Sequence, residues 1–513
     1  MLAASLKAPS RYSRSMPPAN LQQEISRAAS MMNAGRLDAA EAATRKLFKK
    51  NPRNIGVVRL LSLICRRSGK LAEAVQLIGK AQKIAPGDPQ VWIDAVQLAK
   101  IQGKFPEAVR FARKAGSVAP KSDEVFGLLA MSLVWNGDFD DALKMLQPRV
   151  EAGRLSPLML QAFVESHYNL KGWEEVVRIA SAIPAGSDAK LGLDHRRAIA
   201  MMHASALERL DRQAEAVEVV RRMHAGTSVA FEPASAKSLN DQIRGIWSAD
   251  RFASLDDSPF SRSEVPVFIL GMARSGTTLL ERIISAHPGA HGVGESPILG
   301  DAVTTELKLG RAGASGIELH SVATLEGAPL ERIRKAALDD LARLAGRHER
   351  IASKDLRLTR TAGIAGRCFP GARVINLTRA AEDVAVSIWS HAFRLDGMGW
   401  ATRLDWIAMM IAEHERMVEH WRKVLPNPWL DVVYEDLARD PENEIRRVIE
   451  FLDLPWDDAC LRHQESRGGA IKPTHSEYQV RESVNTRSIG RAAGYPEVMA
   501  EFRRHLEAAR SEG

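Results

Sequence analysis

Cysteine is scarce in this sequence. Its 513 residues include three, Cys65, Cys368 and Cys460, which lie far apart and without metal-ligand spacing. This scarcity argues against a disulfide scaffold and a zinc site, and it suits a reducing compartment. The sequence also lacks an apolar stretch of signal-peptide length at its start and any window approaching a membrane-spanning run. We therefore expect a soluble, cytoplasmic protein with no membrane partner.

Length and charge set broad limits. A chain of this length exceeds one ordinary core, so two or three domains are expected. The net charge of +8 fits an anionic partner, but it does not distinguish nucleic acid, acidic protein and a polyanionic cofactor. Residues 1–20, basic and rich in Ser and Pro, are predicted to form a flexible tail; a transit peptide is the less favoured alternative.

A pattern repeats every 34 residues in the first half of the sequence. Its four clear copies are "GRLDAAEA", "GKLAEAV", "GKFPEAV" and "GDFDDAL", which begin at Gly35, Gly69, Gly103 and Gly137. Each glycine is followed five residues later by an alanine, at Ala40, Ala74, Ala108 and Ala142. Prolines recur at the same interval, at Pro52, Pro86 and Pro120. Looser copies begin at Gly172 and Asp211.

This pattern indicates helix–turn–helix units stacked along the chain. Glycine permits the turn, alanine permits close helix packing, and proline marks the exit from the second helix. The period resembles that of the tetratricopeptide repeat, so we predict an α-helical solenoid over residues 21–228. Whether its concave face holds a peptide or protein, or serves only as a scaffold, stays open. A linker is predicted over 229–264 and a second domain over 265–513.

The second domain opens with an anion-binding pattern. "VPVFILG" reads as a buried strand and "TTLLERIISAH" as the helix that follows it. Loop amides and the helix N-terminus would then converge on one anion. The candidate binding residues are Arg274, Ser275, Gly276, Thr277 and Thr278. Thr277 occupies the place of the lysine in a Walker A loop, which disfavours an ATPase.

A second anion-binding unit is predicted about a hundred residues later. "RVINLTR" (373–379) reads as a strand that ends at Arg379, and the following helix carries Ser387 two turns in. Between residues 354 and 379 basic residues outnumber acidic ones by six to one, namely Lys354, Arg357, Arg360, Arg367, Arg373 and Arg379 against Asp355. A solvated basic face is the plain interpretation, but the placement at strand ends favours an anion pocket.

Together, "GMARSGTTLLERIISAHP" and "VINLTRAAEDVAVSIWSH" resemble the two nucleotide-binding motifs of the sulfotransferase family. With the repeats in front, the sequence is similar to bacterial tetratricopeptide-repeat sulfotransferases, whose catalytic half is related to tyrosylprotein sulfotransferase. The resemblance implies an α/β, P-loop-like domain with a parallel sheet. It also implies 3′-phosphoadenosine 5′-phosphosulfate (PAPS) as co-substrate. Residues 274–278 would bind the 5′-phosphosulfate, and Arg379 with Ser387 the 3′-phosphate.

The same resemblance implies roles for further residues. "HGVGES" matches the segment that carries the catalytic glutamate, which puts that role on Glu295. "SKDL" places Lys354 near the bond that breaks, and "VVYEDL" places Tyr434 near the adenosine. A late segment that covers the nucleotide would supply Ser476 and Arg491. Ala273, Leu356 and Ala492 depart from the usual pattern, and they weaken the assignments of Ser476 and Arg491 most.

We therefore predict a PAPS-dependent sulfotransferase that acts on a hydroxyl, with tyrosine of a peptide or protein held by the repeats as one candidate acceptor. Glu295 would act as the base, and Lys354 and Ser476 would stabilise the leaving group, without a metal. Nucleic acid is not an implied partner, and a homodimer stays open. The alternatives are a non-enzymatic repeat adaptor with an inactive transferase fold and, less favoured, a P-loop kinase.

Overall fold

The computed structural model describes residues 19–183, 191–225, 227, 229–253, 258–309, 316–465 and 484–512. The chain forms two compact units, Met1–Asp211 and Arg212–Gly513. Ser476 and nearly all of the predicted tail lie outside the described residues. A bilayer-spanning helix would need greater length and apolarity than any helix has in the described part of the chain.

The first unit is an array of helices arranged in pairs along the chain. The described helices are Ala19–Asn33, Leu37–Lys50, Ile55–Arg67, Leu71–Ile84, Pro89–Ile101, Phe105–Val118, Asp123–Asn136, Phe139–Glu151, Pro157–Asn169, Trp173–Ser181 and Leu193–Arg209. Consecutive helices pack against one another, with apolar side chains buried between them. The predicted helical solenoid is confirmed.

The repeated residues have the expected structural roles. The four glycines that open the clear copies adopt φ angles of 77°, 79°, 68° and 90°, in the left-handed region that favours glycine. The four alanines are fully buried at 0% exposure, because a larger side chain would separate the paired helices. In the fifth copy the left-handed residue is Lys171, 34 residues after Gly137, so the register is one residue earlier than the predicted start at Gly172.

A further periodic feature fixes the helix starts. Asn54, Asp88, Ser122 and Ser156 cap successive first helices, and each side chain accepts a hydrogen bond from a backbone N–H two or three residues later. Side chains of this type satisfy amides that have no partner within the helix. These caps also recur every 34 residues, so the sequence contained this signal beside the glycines and alanines.

The second unit begins earlier than the sequence suggested. Helix Gln213–His224, predicted as part of the array, belongs to this unit, and the His224 ring lies 2.8 Å from the Trp389 carbonyl oxygen. The predicted linker 229–264 contains helix Pro233–Ile246, which packs on helix Leu404–Val424. Its helical spacing of apolar residues ends at the fully buried Trp247. The linker was expected because polar residues dominate the segment and hide this spacing.

A five-stranded parallel sheet forms the centre of the second unit. Its strands are β1 (Pro266–Leu270), β2 (Ala290–Gly292), β3 (Arg350–Ser353), β4 (Arg373–Thr378) and β5 (Trp429–Val433). They lie in the order β2-β3-β1-β4-β5. In register, Phe268 of β1 pairs with Ser353 on one side and Val374 on the other. The predicted α/β class with a parallel sheet is confirmed.

Helices connect the strands and cover the sheet. Those described after β1 are Thr277–Ala286, Ile298–Glu306, Gly327–Ala345, Leu358–Cys368, Ala381–Trp389, Leu404–Val424, Tyr434–Arg439, Pro441–Phe451 and Pro496–Ser511. Alternate β1 residues face two separate apolar clusters: Phe268 and Leu270 lie in one, Val267 and Ile269 in the other. Both faces are therefore buried, and only the strand ends are left to carry polar groups.

Candidate active site at the carboxyl edge of the sheet

The predicted site residues that the structure describes follow the carboxyl ends of the strands. The loop of residues 271–278 follows β1, Glu295 follows β2, and Lys354 follows β3. Arg379 follows β4, and Tyr434 follows β5 as the first residue of a short helix. Because all five strands are parallel, these residues share one edge of the sheet. This edge is where open α/β sheets bind ligands.

The loop after β1 is held in shape by two glycines. A Cβ on Gly271 would lie 2.7 Å from the Ser275 hydroxyl and 3.0 Å from the Leu377 carbonyl oxygen. A Cβ on Gly276 would lie 2.7 Å from the Tyr434 ring, and Gly276 has a φ of 109°. Arg274 adopts a left-handed φ of 68°, a conformation that costs a non-glycine residue about 1–2 kcal/mol. The local fold thus accepts strain to present the loop.

We predict that Gly276→Ala destabilises the second unit by about 2–4 kcal/mol, combining the left-handed penalty with overpacking against Tyr434. The matched control is Gly245→Ala. Gly245 lies in a helix with no heavy atom within 4 Å of the added Cβ, so alanine should stabilise by about 0.5–1 kcal/mol. Urea unfolding followed by tryptophan fluorescence compares the two, and equal stabilities would contradict the steric argument.

Arg274, Ser387 and Arg379 meet between the loop and β4. The Arg274 Nε donates to the Ser387 hydroxyl at 3.1 Å, and Arg379 Nη1 donates to the Arg274 carbonyl at 3.0 Å. The Arg379 guanidinium lies 4.6 Å from the centre of the Tyr434 ring. Its Nε is buried and has no hydrogen-bond partner within the described residues. A buried donor of this kind is costly to leave unsatisfied, and it matches an anionic ligand.

The Arg379 side chain keeps its charge despite its surroundings. Burial lowers the pKa of the guanidinium, and the nearby Tyr434 and Asp383 oppose that shift. Arginine nevertheless stays protonated in proteins at physiological pH. A permanent cation with one orphaned N–H group therefore lies beside Ser387.

Glu295 and Lys354 form an ion pair at the ends of β2 and β3. The Lys354 Nζ lies 3.0 Å from a Glu295 carboxylate oxygen. The lysine side chain is 1% exposed, whereas that of the glutamate is 42% exposed. Backbone bonds set this geometry: Val293 N–H donates to Ala352 O at 2.9 Å, and Lys354 N–H donates to Gly294 O at 3.2 Å. The pair thus joins a buried cation to a carboxylate that solvent and a substrate can reach.

Residues that the sequence analysis did not single out support this pair. The Gly292 N–H donates to the Ser285 hydroxyl at 3.0 Å, and the Gly294 N–H donates to the Glu281 carboxylate. Both acceptors lie on helix Thr277–Ala286, which follows the glycine loop. Glu281 is only 2% exposed. The segment that carries Glu295 is therefore fastened to the helix that begins at the anion loop.

Two of the six basic residues expected at an anion pocket lie elsewhere. Arg373 is the first residue of β4, at the opposite edge of the sheet, and it bonds to the Phe451 carbonyl and Glu264 at 2.7 Å each. Arg367 donates to the Leu325 carbonyl at 2.9 Å. Both are structural arginines that satisfy backbone carbonyls. A count of charges along the sequence does not distinguish the two ends of a parallel strand.

Two other predicted residues and the metal prediction concern the rest of the site. Arg491 Nη2 donates to the Ser390 hydroxyl at 2.8 Å, immediately after the helix of Ser387. Ser476 lies outside the described residues. Within the described ranges no group of three or more His, Cys, Asp and Glu residues is arranged to hold a metal ion. The described groups define a phosphate-loop-like transferase site, with a distributed set of cations in place of a loop lysine.

Comparison with known proteins gives the family. Residues 266–458 match the model of the sulfotransferase family. The chain is 35% identical over 233 residues to an uncharacterised protein of Aquifex aeolicus, a match covering 44% of this chain and 30% of that protein. It is 25% identical over 221 residues to protein-tyrosine sulfotransferase A of Caenorhabditis elegans, covering 43% and 58%. The second unit thus carries a sulfotransferase-family domain.

These matches cover only part of each protein. The chain spans from about a third to less than two thirds of the length of these two relatives. Among solved structures, a tetratricopeptide repeat protein from Parabacteroides merdae is similar at 16% identity and a TM-score of 0.34, covering 40% of this chain and 80% of that one. The helical array thus precedes a domain whose family match supports sulfotransferase activity.

Proposed function

We propose that this protein transfers the sulfuryl group of PAPS to an acceptor hydroxyl. One observation carries the proposal: the anion loop, the Glu295–Lys354 pair and the Arg379–Ser387 pair share the carboxyl edge of one sheet. A donor with phosphate groups at its 5′ and 3′ positions needs two separated anion sites, and this edge has two. The acceptor side needs a base, which Glu295 supplies.

The residues present fit such a donor. The loop amides and side chains of residues 274–278 would hold the 5′-phosphosulfate at the start of helix Thr277–Ala286. Ser387 and the orphaned Nε of Arg379 would hold the 3′-phosphate. Tyr434 would lie against the nucleoside, because its ring packs between Gly276 and Arg379. When bound, PAPS supplies an activated sulfuryl group with a nucleotide bisphosphate as leaving group.

The chain's own residues would then move the proton and stabilise charge. The half-exposed Glu295 carboxylate would take the proton of the attacking hydroxyl, a contribution of about 10²–10⁴-fold in rate. Lys354 and Arg274 would stabilise the negative charge that develops on the leaving oxygen. Because Lys354 is buried, its charge acts through a poorly screened environment and needs little reorganisation.

Tyrosine is the acceptor we propose to test first, in a peptide or protein. Support comes from the similarity to a protein named protein-tyrosine sulfotransferase A and from a helical array of a type that binds chains. A peptide engaged by the array would gain effective concentration at the transferase site. Carbohydrate, lipid head group and small phenol are the competing acceptors, and labelling identifies which is correct.

Two experiments test the proposal. In thermal unfolding, adenosine 3′,5′-bisphosphate at a hundred times its Kd should stabilise the protein by about 2.7 kcal/mol, whereas ATP with Mg²⁺ should not. Stabilisation by ATP–Mg²⁺ alone would favour a kinase. Sulfur-labelled PAPS is then incubated with a lysate of the native organism, and the labelled product is identified. Binding without any transfer would favour the inactive adaptor, and binding of neither PAPS nor the bisphosphate would refute the donor.

A further inference from the structure

A buried carboxylate, Asp383, ties a late segment of the chain to the helix that follows β4. Asp383 is 3% exposed. One of its oxygens accepts from the Gly490 N–H at 2.7 Å, and the other accepts from the Ala492 N–H at 2.8 Å. The donors lie 107 and 109 residues later in the sequence. Both oxygens of one ionisable group are thus used to hold a single distant turn.

The conformation of that turn suits a carboxylate. Gly490 has a φ of 74°, in the left-handed region, and it immediately precedes the short 3-10 helix Arg491–Gly494. Backbone amides around such a left-handed residue converge on a common point, as they do in anion-binding nests. Charge-assisted hydrogen bonds of this kind are roughly twice as strong as neutral ones. Asp383 therefore orders the turn, and the turn presents two amides to one partner.

The held segment also engages the proposed 3′-phosphate site. Arg379 Nη2 donates to the Ser488 carbonyl, two residues before Gly490. Arg491 Nη2 donates to Ser390 at 2.8 Å. Asp383 lies one helical turn before Ser387 on the same helix. The segment of residues 488–492 is thus fixed at four contacts, and one of them determines where the Arg379 guanidinium points.

We propose that Asp383 is a positioning residue that fixes residues 488–492 and thereby orients Arg379 for a 3′-phosphorylated nucleotide. The inference rests on the proposed donor. Asp383 does not touch the ligand in this account. It sets the Ser488 carbonyl, which holds one arm of the guanidinium and leaves the Nε for the phosphate. Loss of the carboxylate releases the turn, so the chief effect falls on discrimination between nucleotides with and without a 3′-phosphate.

The test uses Asp383→Asn in the full chain. Asparagine keeps the shape and one acceptor oxygen, but it places an NH₂ group against a backbone N–H. The matched control is Glu382→Gln, because the adjacent Glu382 carboxylate pairs with Arg503 at the exposed surface. Calorimetry measures the affinities of adenosine 3′,5′-bisphosphate and adenosine 5′-monophosphate. In Asp383→Asn we expect about ten- to hundredfold weaker bisphosphate binding and little change for the monophosphate. The control should match the wild type.

Hydrogen exchange provides a readout that is independent of any ligand. In Asp383→Asn the amides of Gly490 and Ala492 should exchange at least about tenfold faster, with protection in the strands unchanged. Faster exchange throughout the second unit, or equal weakening of both nucleotides, would mean that Asp383 only stabilises the fold. Exchange equal to that of the wild type would overturn the proposal. If the wild type binds neither nucleotide the proposed donor fails, whereas the exchange result still tests the fixed segment by itself.

Discussion

Glu295→Gln should lower the rate of sulfuryl transfer by about 10²–10⁴-fold, the usual contribution of a positioned general base. Glutamine is isosteric with glutamate and keeps a carbonyl oxygen that Lys354 can donate to, so the buried ammonium is not left without a partner. The substitution removes the group that takes a proton while the local geometry is retained. Affinity for adenosine 3′,5′-bisphosphate should therefore stay within about twofold of wild type.

The measurement is a pair of pH–rate profiles with labelled PAPS and the acceptor identified from lysate. Wild-type activity should rise through the titration of one acidic group, and that limb should be absent from Glu295→Gln. Glu306→Gln is the control, since Glu306 lies on the next helix and pairs with Arg332 at the exposed surface. Retention of more than a third of wild-type activity in Glu295→Gln would assign the base to another group.

Local and periodic features of the fold were predictable from the sequence. The array repeats its own helix start, turn and contact residues, so each copy reinforced the interpretation of the others. β1 and its loop were predictable for a related reason, because "VPVFILG" is too apolar for any exposed position and it ends at a glycine. The structure adds a steric reason for the glycines, since Tyr434 and Leu377 occupy the space of their missing side chains.

Features that depend on distant pairing were not predictable. Asp383 looked like an ordinary acid in the first turn of a helix, where the helix dipole favours it. Its partners, Gly490 and Ala492, lie more than a hundred residues later and contribute only backbone amides. Glu281 read as a polar position in the helix after the glycine loop, although it is buried and receives the Gly294 N–H. A single sequence carries no signal for a side chain whose partner is a backbone N–H.

The same reason explains the helix found in the expected linker. Asn240 and Arg360 are polar in the sequence, yet Arg360 donates to Asn240 at 2.9 Å and Asn240 donates to the fully buried Glu413 at 3.0 Å. The packing face of helix Pro233–Ile246 is therefore partly polar. Composition alone assigns such a segment to the surface, because it cannot show that each polar group has a buried partner.

Lys354→Met should reduce sulfuryl transfer by about 10²–10³-fold, the loss found when one preorganised donor is removed from a site of developing charge. Methionine is unbranched and apolar, so it can fill the space of a side chain that is 1% exposed. Glu295 is 42% exposed and can be rehydrated when its partner is lost. The fold should therefore tolerate the change. Lys335→Met is the control, because Lys335 is exposed and pairs with Asp339 on one helix.

The double variant decides whether the two residues act as one unit. Atoms 3.0 Å apart couple energetically, so the combined loss in Glu295→Gln/Lys354→Met should fall short of the sum of the two single losses. Initial rates with labelled PAPS give all four corners of this cycle. Strict additivity would contradict a shared transition state. A shortfall is expected because the carboxylate removes a proton from the acceptor while the ammonium stabilises charge on the leaving group, and neither contribution is fully realised without the other.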